Sequence, residues 1–277
     1  MWRSSRLQSR TITFSDIYIN DFRNCLKETE TGHFADDTYL LYSSKKLKTI
    51  ETVMNTELKR VSNWLRLNKL SLNAGKTELI IFHSKRHFPN SAISIKLDGK
   101  KLVPVDYIKY LGIYIDKHLA WDYHVHDLCK KLSRANCVLS KLRYNAPKQV
   151  CLNVYYAIFY QHMIYGCSVW GITSEENISK VEILQKKCTR IMTFSDFNSH
   201  TDPLFIDLKL VKFRDVIKMQ HLQLTFQFCN KMVPRDLNIF FNLREDVRKT
   251  TLSLKNAKKM CLVIPKTKSV KSGTKSR

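Results

Sequence analysis

Residues 34 to 42 are Phe34-Ala35-Asp36-Asp37-Thr38-Tyr39-Leu40-Leu41-Tyr42, so two adjacent aspartates stand between apolar side chains. Because side chains alternate faces along a strand, this pattern predicts the tight bend of a β-hairpin whose strands are both partly buried. Two like charges in a partly dry cleft are costly to leave unpaired, and a hard divalent ion such as Mg²⁺ would compensate them. The alternative is an exposed Asp-Asp turn, since aspartate is a common turn former.

The charge of the chain favours a polyanionic partner. In 277 residues, 47 Lys and Arg stand against 24 Asp and Glu, which gives a formal net charge of +23. Such an excess favours nucleic acid over an anionic membrane surface. No run approaches the roughly 18 to 20 apolar residues that cross a bilayer, and no apolar signal core follows the N-terminal arginines. We therefore expect an intracellular protein, in the nucleus or cytoplasm, with no membrane association.

The cysteines indicate neither a zinc module nor a disulfide framework, because none of them forms a C-x-x-C pair. We expect all eight to be reduced core or surface residues: Cys25, Cys129, Cys137, Cys151, Cys167, Cys188, Cys229 and Cys261.

Apolar spacing predicts an α+β protein. Apolar residues from Leu47 to Leu65 recur on one helical face, and this helix should end near Asn68 and pack behind the Asp-Asp hairpin. Short strands should follow at 78–83, 93–97 and 101–105, with Asp98-Gly99 as a hairpin turn and a further strand from Tyr110 to Ile115.

Helices should dominate from about Trp121. We predict one helix to about residue 144, a second from Pro147 to Gly166, a third opened by a capping box of Thr173 and Glu176, and a fourth from Phe213 to Met232. The boundaries implied are 1–13, 14–120, 121–232 and 233–277. The last segment is a basic tail, and its residues 255 to 277 should be disordered and either contact phosphates or have no function, with these lysines as candidate nucleic-acid contacts: Lys255, Lys258, Lys259, Lys266 and Lys268.

Three other sequence patterns indicate a functional site only weakly. Gly75-Lys76-Thr77 ends like a phosphate loop, but that motif needs glycine at position 70, where the chain has Leu70. His118, His124 and His126 are more typical of surface histidines than of metal ligands. The aromatic residues between Tyr155 and Tyr165 should be mainly core, although one or two could stack on bases.

Four motifs in order make the chain resemble reverse transcriptases of jockey-like non-LTR retrotransposons. Ile17-Tyr18-Ile19-Asn20-Asp21-Phe22 is similar to the end of the template-binding motif, and Phe34-Ala35-Asp36-Asp37 to the catalytic motif. Leu70-Ser71-Leu72-Asn73-Ala74-Gly75-Lys76-Thr77-Glu78 resembles the following lysine motif. Tyr110-Leu111-Gly112-Ile113-Tyr114-Ile115-Asp116 resembles the motif that grips the primer.

The resemblance implies a truncated palm, an antiparallel sheet with a packed helix, followed by an all-α thumb-like bundle. In the family, RNA-directed DNA polymerases add deoxynucleoside triphosphates to a DNA primer on an RNA template with two Mg²⁺ ions. Asp36 and Asp37 would bind metal and Lys76 would meet the triphosphate. Tyr110, Leu111 and Gly112 would support the primer end.

The chain also departs from that family. Residues 1 to 13 contain no carboxylate, whereas the family takes a third metal-binding aspartate from an earlier motif, and the preceding Gln-Gly-Ser type loop and the fingers are missing. We therefore expect residues 1 to 13 to be unrelated or rearranged sequence. Two hypotheses remain open: an inactive fragment of a reverse transcriptase, or a catalytically dead, basic nucleic-acid-binding remnant.

Overall fold

The computed structural model describes residues 19–35, 37–70, 75–85 and 93–234, together with the backbone of 242–243 and 262–263. These residues fall into two compact units, one within residues 1–123 and the other within residues 124–277. Each unit is described by itself.

Unit 1 combines short strands with one long helix. A 3₁₀ turn spans Phe22–Cys25 and helix α1 spans Leu47–Leu67. The strands are β1 (Glu30–Phe34), β2 (Asp37–Leu41), β3 (Leu79–Ile80), β4 (Lys96–Leu97), β5 (Lys100–Lys101), β6 (Pro104–Val105), β7 (Tyr107–Tyr110) and β8 (Ile113–Asp116).

Helix α1 forms the back of unit 1, as its apolar spacing predicts. Its inward face buries Leu58 in one apolar cluster and Val61 and Trp64 in another. Leu40 of β2 packs against both clusters, so the helix does lie behind the Asp-Asp hairpin. The helix ends at the expected place, where the Asn68 side-chain amide donates to the Trp64 carbonyl oxygen at 3.0 Å.

Three antiparallel hairpins in unit 1 have two-residue turns. They pair β1 with β2, β4 with β5 and β7 with β8, while β3 pairs with β6 in parallel. Asp98 and Gly99 form the middle turn, as predicted, with φ of 47° and 78°. The single strand expected from Tyr110 to Ile115 is wrong, because Leu111 and Gly112 turn the chain there and pair Tyr110 with Ile113.

Unit 2 is helical over the described residues 124–234, apart from turns. Its helices are α2 (Asp122–Leu142, which begins in unit 1), α3 (Lys148–Val154), a π-helical segment (Tyr155–Tyr160), α4 (Gln161–Ile164), α5 (Cys167–Trp170), α6 (Glu175–Thr193), α7 (Asp202–Asp207) and α8 (Phe213–Cys229). The backbone of β9 (Asn242–Leu243) pairs with that of β10 (Leu262–Val263).

The four predicted helices are present, with corrections at their ends. Ser174 rather than Thr173 caps α6, because its hydroxyl accepts the Asn177 N–H. The helix predicted to reach Met232 ends at Cys229, and the short helix α7 has no counterpart in the prediction. Such one-turn helices are stabilised by packing, which local sequence signals do not show.

Gln185 of α6 organises the core of unit 2. Its side chain is buried, its Nε2 donates to the Tyr155 hydroxyl and the Val211 carbonyl oxygen, and its Oε1 accepts the Phe213 N–H at 2.8 Å. These bonds tie α6 to the π-helical segment and to the start of α8. The ring of Phe213 then stacks on the buried Trp170, with ring centroids 5.7 Å apart.

The chain is therefore α+β, as predicted, although the described strands form separate two-stranded pairs instead of one antiparallel sheet. Within the described part of the chain, no helix is long and apolar enough to cross a membrane.

Candidate active site

The turn between β1 and β2 places the candidate catalytic residues at the tip of a hairpin. Phe34 pairs with Asp37, so the chain turns back between these two residues. Ala35 has a φ of 54°, the left-handed conformation that such tight turns require. Asp37 is exposed at the start of β2, while Asp36 lies outside the described residues.

The two faces of this hairpin differ in environment. Thr31, His33, Thr38 and Leu40 share the face nearer the core, where His33 Nδ1 and Thr38 Oγ1 lie 3.0 Å apart. Asp37 and Tyr39 share the opposite face, which is largely exposed in β2. The prediction that both strands are partly buried holds for the middle of β1, whereas in β2 only Leu40 is partly buried, because α1 covers only one face.

A glycine makes room for Tyr39 on the exposed face. Gly32 pairs with Tyr39 across the hairpin, and a Cβ at Gly32 would lie 2.5 Å from Tyr39 Cε1. Any larger residue would therefore displace the ring. Gly32 fixes where the Tyr39 side chain lies.

The Tyr39 ring in turn meets the second candidate element. Its ring centroid is 5.7 Å from that of Tyr110, in an edge-to-face arrangement. Burial raises the pKa of Tyr110, and the Tyr39 phenol and the Asp37 carboxylate raise it further. The structure thus brings the Asp37 hairpin and the Tyr110 hairpin together in unit 1.

The turn after Tyr110 is conformationally demanding. Leu111 and Gly112 have φ of 46° and 81°, and leucine rarely adopts this region. At the other end of the hairpin the buried carboxylate of Asp116 accepts three backbone N–H groups, from His118, Ala120 and Trp121, at 3.0, 3.1 and 2.6 Å. Asp116 therefore fixes the base of the hairpin whose tip carries Leu111.

A buried glutamate anchors the chain before β1. Glu57 of α1 accepts the Lys27 N–H at 2.9 Å and the Thr29 hydroxyl at 3.1 Å, and it forms an ion pair with Arg60. Burial raises the pKa of Glu57, but these hydrogen bonds and Arg60 outweigh it, so that the pKa lies below its usual value. The charged side chain ties β1 to the helix behind it.

Phe22, in the motif similar to a template-binding segment, is a core residue. Its ring meets those of His33 and Trp64 edge-on, each at a centroid distance of 5.1 Å. Ile17 and Tyr18 of the same motif lie outside the described residues.

The structure describes only some of the remaining candidate residues. Lys76 is exposed in the turn before β3, and residues 71–74 of its motif lie outside the described part of the chain. The candidate lysines of the tail, from Lys255 to Lys268, also lie outside it. Among the described residues, no three His, Cys, Asp or Glu side chains converge as a metal site would require.

The predictions for the histidines and the aromatic residues need correction. His126 is exposed and His118 is half-buried, but His124 is buried beside Trp170, so the surface interpretation is wrong for it. Tyr155 and Phe159 are core residues as predicted, whereas Tyr156 and Tyr165 are exposed. The seven described cysteines are free, and Cys151, Cys167 and Cys188 are buried.

Gly32, Tyr39 and Glu57 support the site but were not predicted from the sequence. The first two could have been found, because a two-residue turn at Ala35-Asp36 fixes a register that pairs Gly32 with Tyr39. Glu57 gave no such signal, since its partners lie 28 and 30 residues away in sequence.

Curated relatives of the chain are polymerases of mobile elements. It is 27% identical over 188 residues to the probable RNA-directed DNA polymerase from transposon X-element of Drosophila melanogaster, and 25% identical over 193 residues to that from mobile element jockey of the same species. The probable polymerase from transposon BS is 28% identical over 184 residues. These matches confirm the resemblance to reverse transcriptases of jockey-like elements.

The matches cover 66%, 68% and 64% of this chain but only 20% of each relative, so the chain spans about a fifth of the length of these relatives. No protein-family model matches the chain. No solved structure matches it either.

Proposed function

We propose that this chain is a palm and thumb segment of an RNA-directed DNA polymerase of a jockey-like non-LTR retrotransposon. Unit 1 would be part of the palm and unit 2 the thumb-like bundle. The observation that supports this most is the contact of Tyr39 with Tyr110 at 5.7 Å, because it places the Asp37 turn beside a second hairpin suited to support a primer end.

Each candidate residue has a role in this proposal. Asp36 and Asp37 would hold Mg²⁺, which supplies charge stabilisation for phosphoryl transfer when bound. Lys76 would meet the nucleoside triphosphate as a positive charge. Tyr110, Leu111 and Gly112 would support the primer terminus on an RNA template.

The described residues provide only part of what a Mg²⁺ site requires. Carboxylates are the donor type that Mg²⁺ prefers, and Asp37 is exposed and accessible at its turn. A two-ion site needs more carboxylates than this turn supplies, and residues 1 to 13 contain none. By itself, this chain should therefore bind nucleic acid without extending a primer.

Primer extension tests this directly. The purified chain should retard an RNA template–DNA primer hybrid at low salt and should incorporate no labelled deoxynucleotide. Template-dependent incorporation that disappears in Asp37→Asn would show that the chain is active alone. Failure of the chain to bind the hybrid at low salt would contradict the proposed function.

The second candidate, a nucleic-acid-binding remnant with no metal at the hairpin, is supported by the net charge of +23. Fe²⁺ in place of Mg²⁺, with ascorbate and peroxide, cuts polypeptide close to where it binds and so separates the two candidates. A polymerase segment should be cut near the Asp37 turn and near Leu111, whereas a remnant should not.

Asp37→Asn should abolish both cuts. Asp98→Asn is the matched control, because Asp98 is another exposed aspartate in a two-residue hairpin turn of unit 1. Cuts that persist in Asp37→Asn, or that depend on Asp98, would contradict metal binding at the hairpin.

A further inference from the structure

Aromatic rings and guanidinium groups cluster in unit 2 where α2 and α6 end. The guanidinium carbon of Arg143 lies 4.7 Å from the ring centroid of Tyr144 and 4.6 Å from that of Phe194. The two rings meet edge-on at 5.6 Å. The guanidinium carbon of Arg190 lies 5.9 Å from the ring centroid of Phe197. We call these five residues the aromatic surface.

The arginines of the aromatic surface are held in place by hydrogen bonds. Arg143 Nη2 donates to the Tyr144 hydroxyl at 2.7 Å and its Nη1 to the Ile191 carbonyl oxygen at 3.2 Å. Arg190 Nε donates to the Ser199 carbonyl oxygen at 3.0 Å. Because the guanidinium groups are already ordered, they hold the rings beside them at little further entropic cost.

The rings themselves face solvent. Tyr144, Phe194 and Phe197 are 68%, 57% and 78% exposed, whereas the core rings of unit 2, such as Phe159 and Phe213, are fully buried. Phe194 also ends α6 with a φ of 55°, a position where glycine is favoured. A phenylalanine that keeps such a conformation while its ring is exposed favours a role for the ring beyond the packing of unit 2.

The surroundings of the aromatic surface are basic. Lys141, Lys186 and Lys187 are exposed towards the ends of α2 and α6, and the exposed acids described nearby are Asp196, in the loop after α6, and Asp202, which interacts electrostatically with Lys186. The helix dipole also favours cations at helix C-termini, but it does not select exposed rings. Rings and cations together suit a ligand with both π-faces and negative charge.

We propose that the aromatic surface is a stacking platform for one or two unpaired bases of single-stranded nucleic acid, with the neighbouring lysines facing its phosphates. A duplex does not offer the base faces that the rings require, so single strands should be preferred. This inference rests on the nucleic-acid binding proposed above and deepens it by assigning the contact to named residues of unit 2. It involves neither the Asp37 hairpin nor the tail.

Fluorescence anisotropy of the full chain with labelled 15-mers tests the platform. The probes are oligo(dT), oligo(rU) and a DNA duplex of the same length. The double variant Tyr144→Ala/Phe197→Ala removes two rings, and Phe194 is kept because it ends α6. Phe226→Ala is the matched control, since Phe226 is a comparably exposed ring on α8 of the same unit.

The double variant should bind both single strands roughly tenfold more weakly or worse, because each stacked base contributes substantially to affinity. Its duplex affinity should stay within about twofold, and its salt dependence should not change, because no phosphate-contacting charge is removed. Lys187→Ala should instead reduce the slope of log affinity against log salt. Phe226→Ala should behave as the wild type.

Photocrosslinking adds a readout on the unaltered protein. Oligonucleotides with 5-iodouracil should crosslink to peptides containing Tyr144, Phe194 or Phe197. Crosslinks confined to other peptides, or a double variant that binds single strands like the wild type, would overturn the platform while leaving nucleic-acid binding intact. A wild-type chain that binds none of the three probes would overturn the proposed function as well.

Discussion

The rings of Tyr39 in β2 and Tyr110 in β7 meet edge-on with centroids 5.7 Å apart, and this contact joins the hairpin of Asp37 to the hairpin of Leu111. Neither hairpin is part of a larger sheet among the described strands. The side-chain contact, and not a shared ladder of hydrogen bonds, therefore relates the two turns.

A double-mutant cycle of Tyr39→Leu and Tyr110→Leu should show coupling of about 0.5 to 1.5 kcal/mol in the free energy of unfolding. Urea unfolding of the four proteins measures it. If the losses of unfolding free energy in the two single variants add up to the loss in the double variant, the ring contact does not stabilise the pair of hairpins.

Gly32→Ala should abolish that coupling, because the new Cβ would occupy the place of the Tyr39 ring. In the Gly32→Ala background, Tyr110→Leu should change the free energy of unfolding very little. Amide hydrogen exchange in β7 should increase. Gly99→Ala is the control: its Cβ would meet nothing within 4 Å, so although its φ of 78° strains alanine, the substitution should leave the coupling unchanged. Undiminished coupling in Gly32→Ala would contradict the role of the glycine.

Glu57→Gln should destabilise unit 1 by about 2 kcal/mol, because a neutral amide accepts less strongly from Lys27 and Thr29 and leaves Arg60 unpaired. The folded pKa of Glu57 is lowered, so the charged side chain stabilises the folded state above the unfolded pKa near 4.3. This stabilisation is lost as the pH falls through the folded pKa. Urea unfolding at pH 7 and at pH 3 should show a larger cost of the substitution at pH 7. An equal cost at both pH values would mean that the charge of Glu57 does not matter.

Asp116→Asn should loosen the base of the β7–β8 hairpin by about 2 kcal/mol, because an amide nitrogen cannot accept the N–H that Oδ2 now accepts. Hydrogen exchange at Trp121 should accelerate most. Asp106→Asn is the control: the exposed Asp106 carboxylate pairs only with the Lys117 side chain in the described hydrogen bonds, so its loss should leave the free energy of unfolding almost unchanged. Equal effects of the two substitutions would contradict the role of Asp116.

Unit 2 should lose stability in mild acid through His124. Burial lowers its pKa to about 4, with Lys131 adding to the effect. Because the folded pKa is lowered, the neutral histidine stabilises unit 2 above the unfolded pKa near 6.5, and this stabilisation is lost as the pH falls towards 4. The free energy of unfolding should therefore decrease by about 2 kcal/mol between pH 7 and pH 5. His124→Phe should flatten this dependence in urea unfolding, whereas the exposed His126→Phe should not.

Local signals in the sequence predicted most elements because their causes are local. The apolar spacing of α1, the Asp98-Gly99 turn and the Asp-Asp bend each depend on residues within one element. The turn at Leu111-Gly112 was missed because leucine rarely takes a positive φ. His124 was misjudged because its burial depends on Trp170, 46 positions along the chain, which local pattern does not reveal.

By itself the sequence determined the α+β class, the order of most of the elements, the strongly basic charge and the resemblance of four motifs to a reverse transcriptase, because these follow from residue identity and short-range spacing. Only the tertiary structure decided that Tyr39 meets Tyr110, that Glu57 holds the start of β1, and that Phe194 lies against Arg143. These contacts join residues 30 to 71 positions apart, and such pairings are fixed by the packing of whole elements and not by local preference.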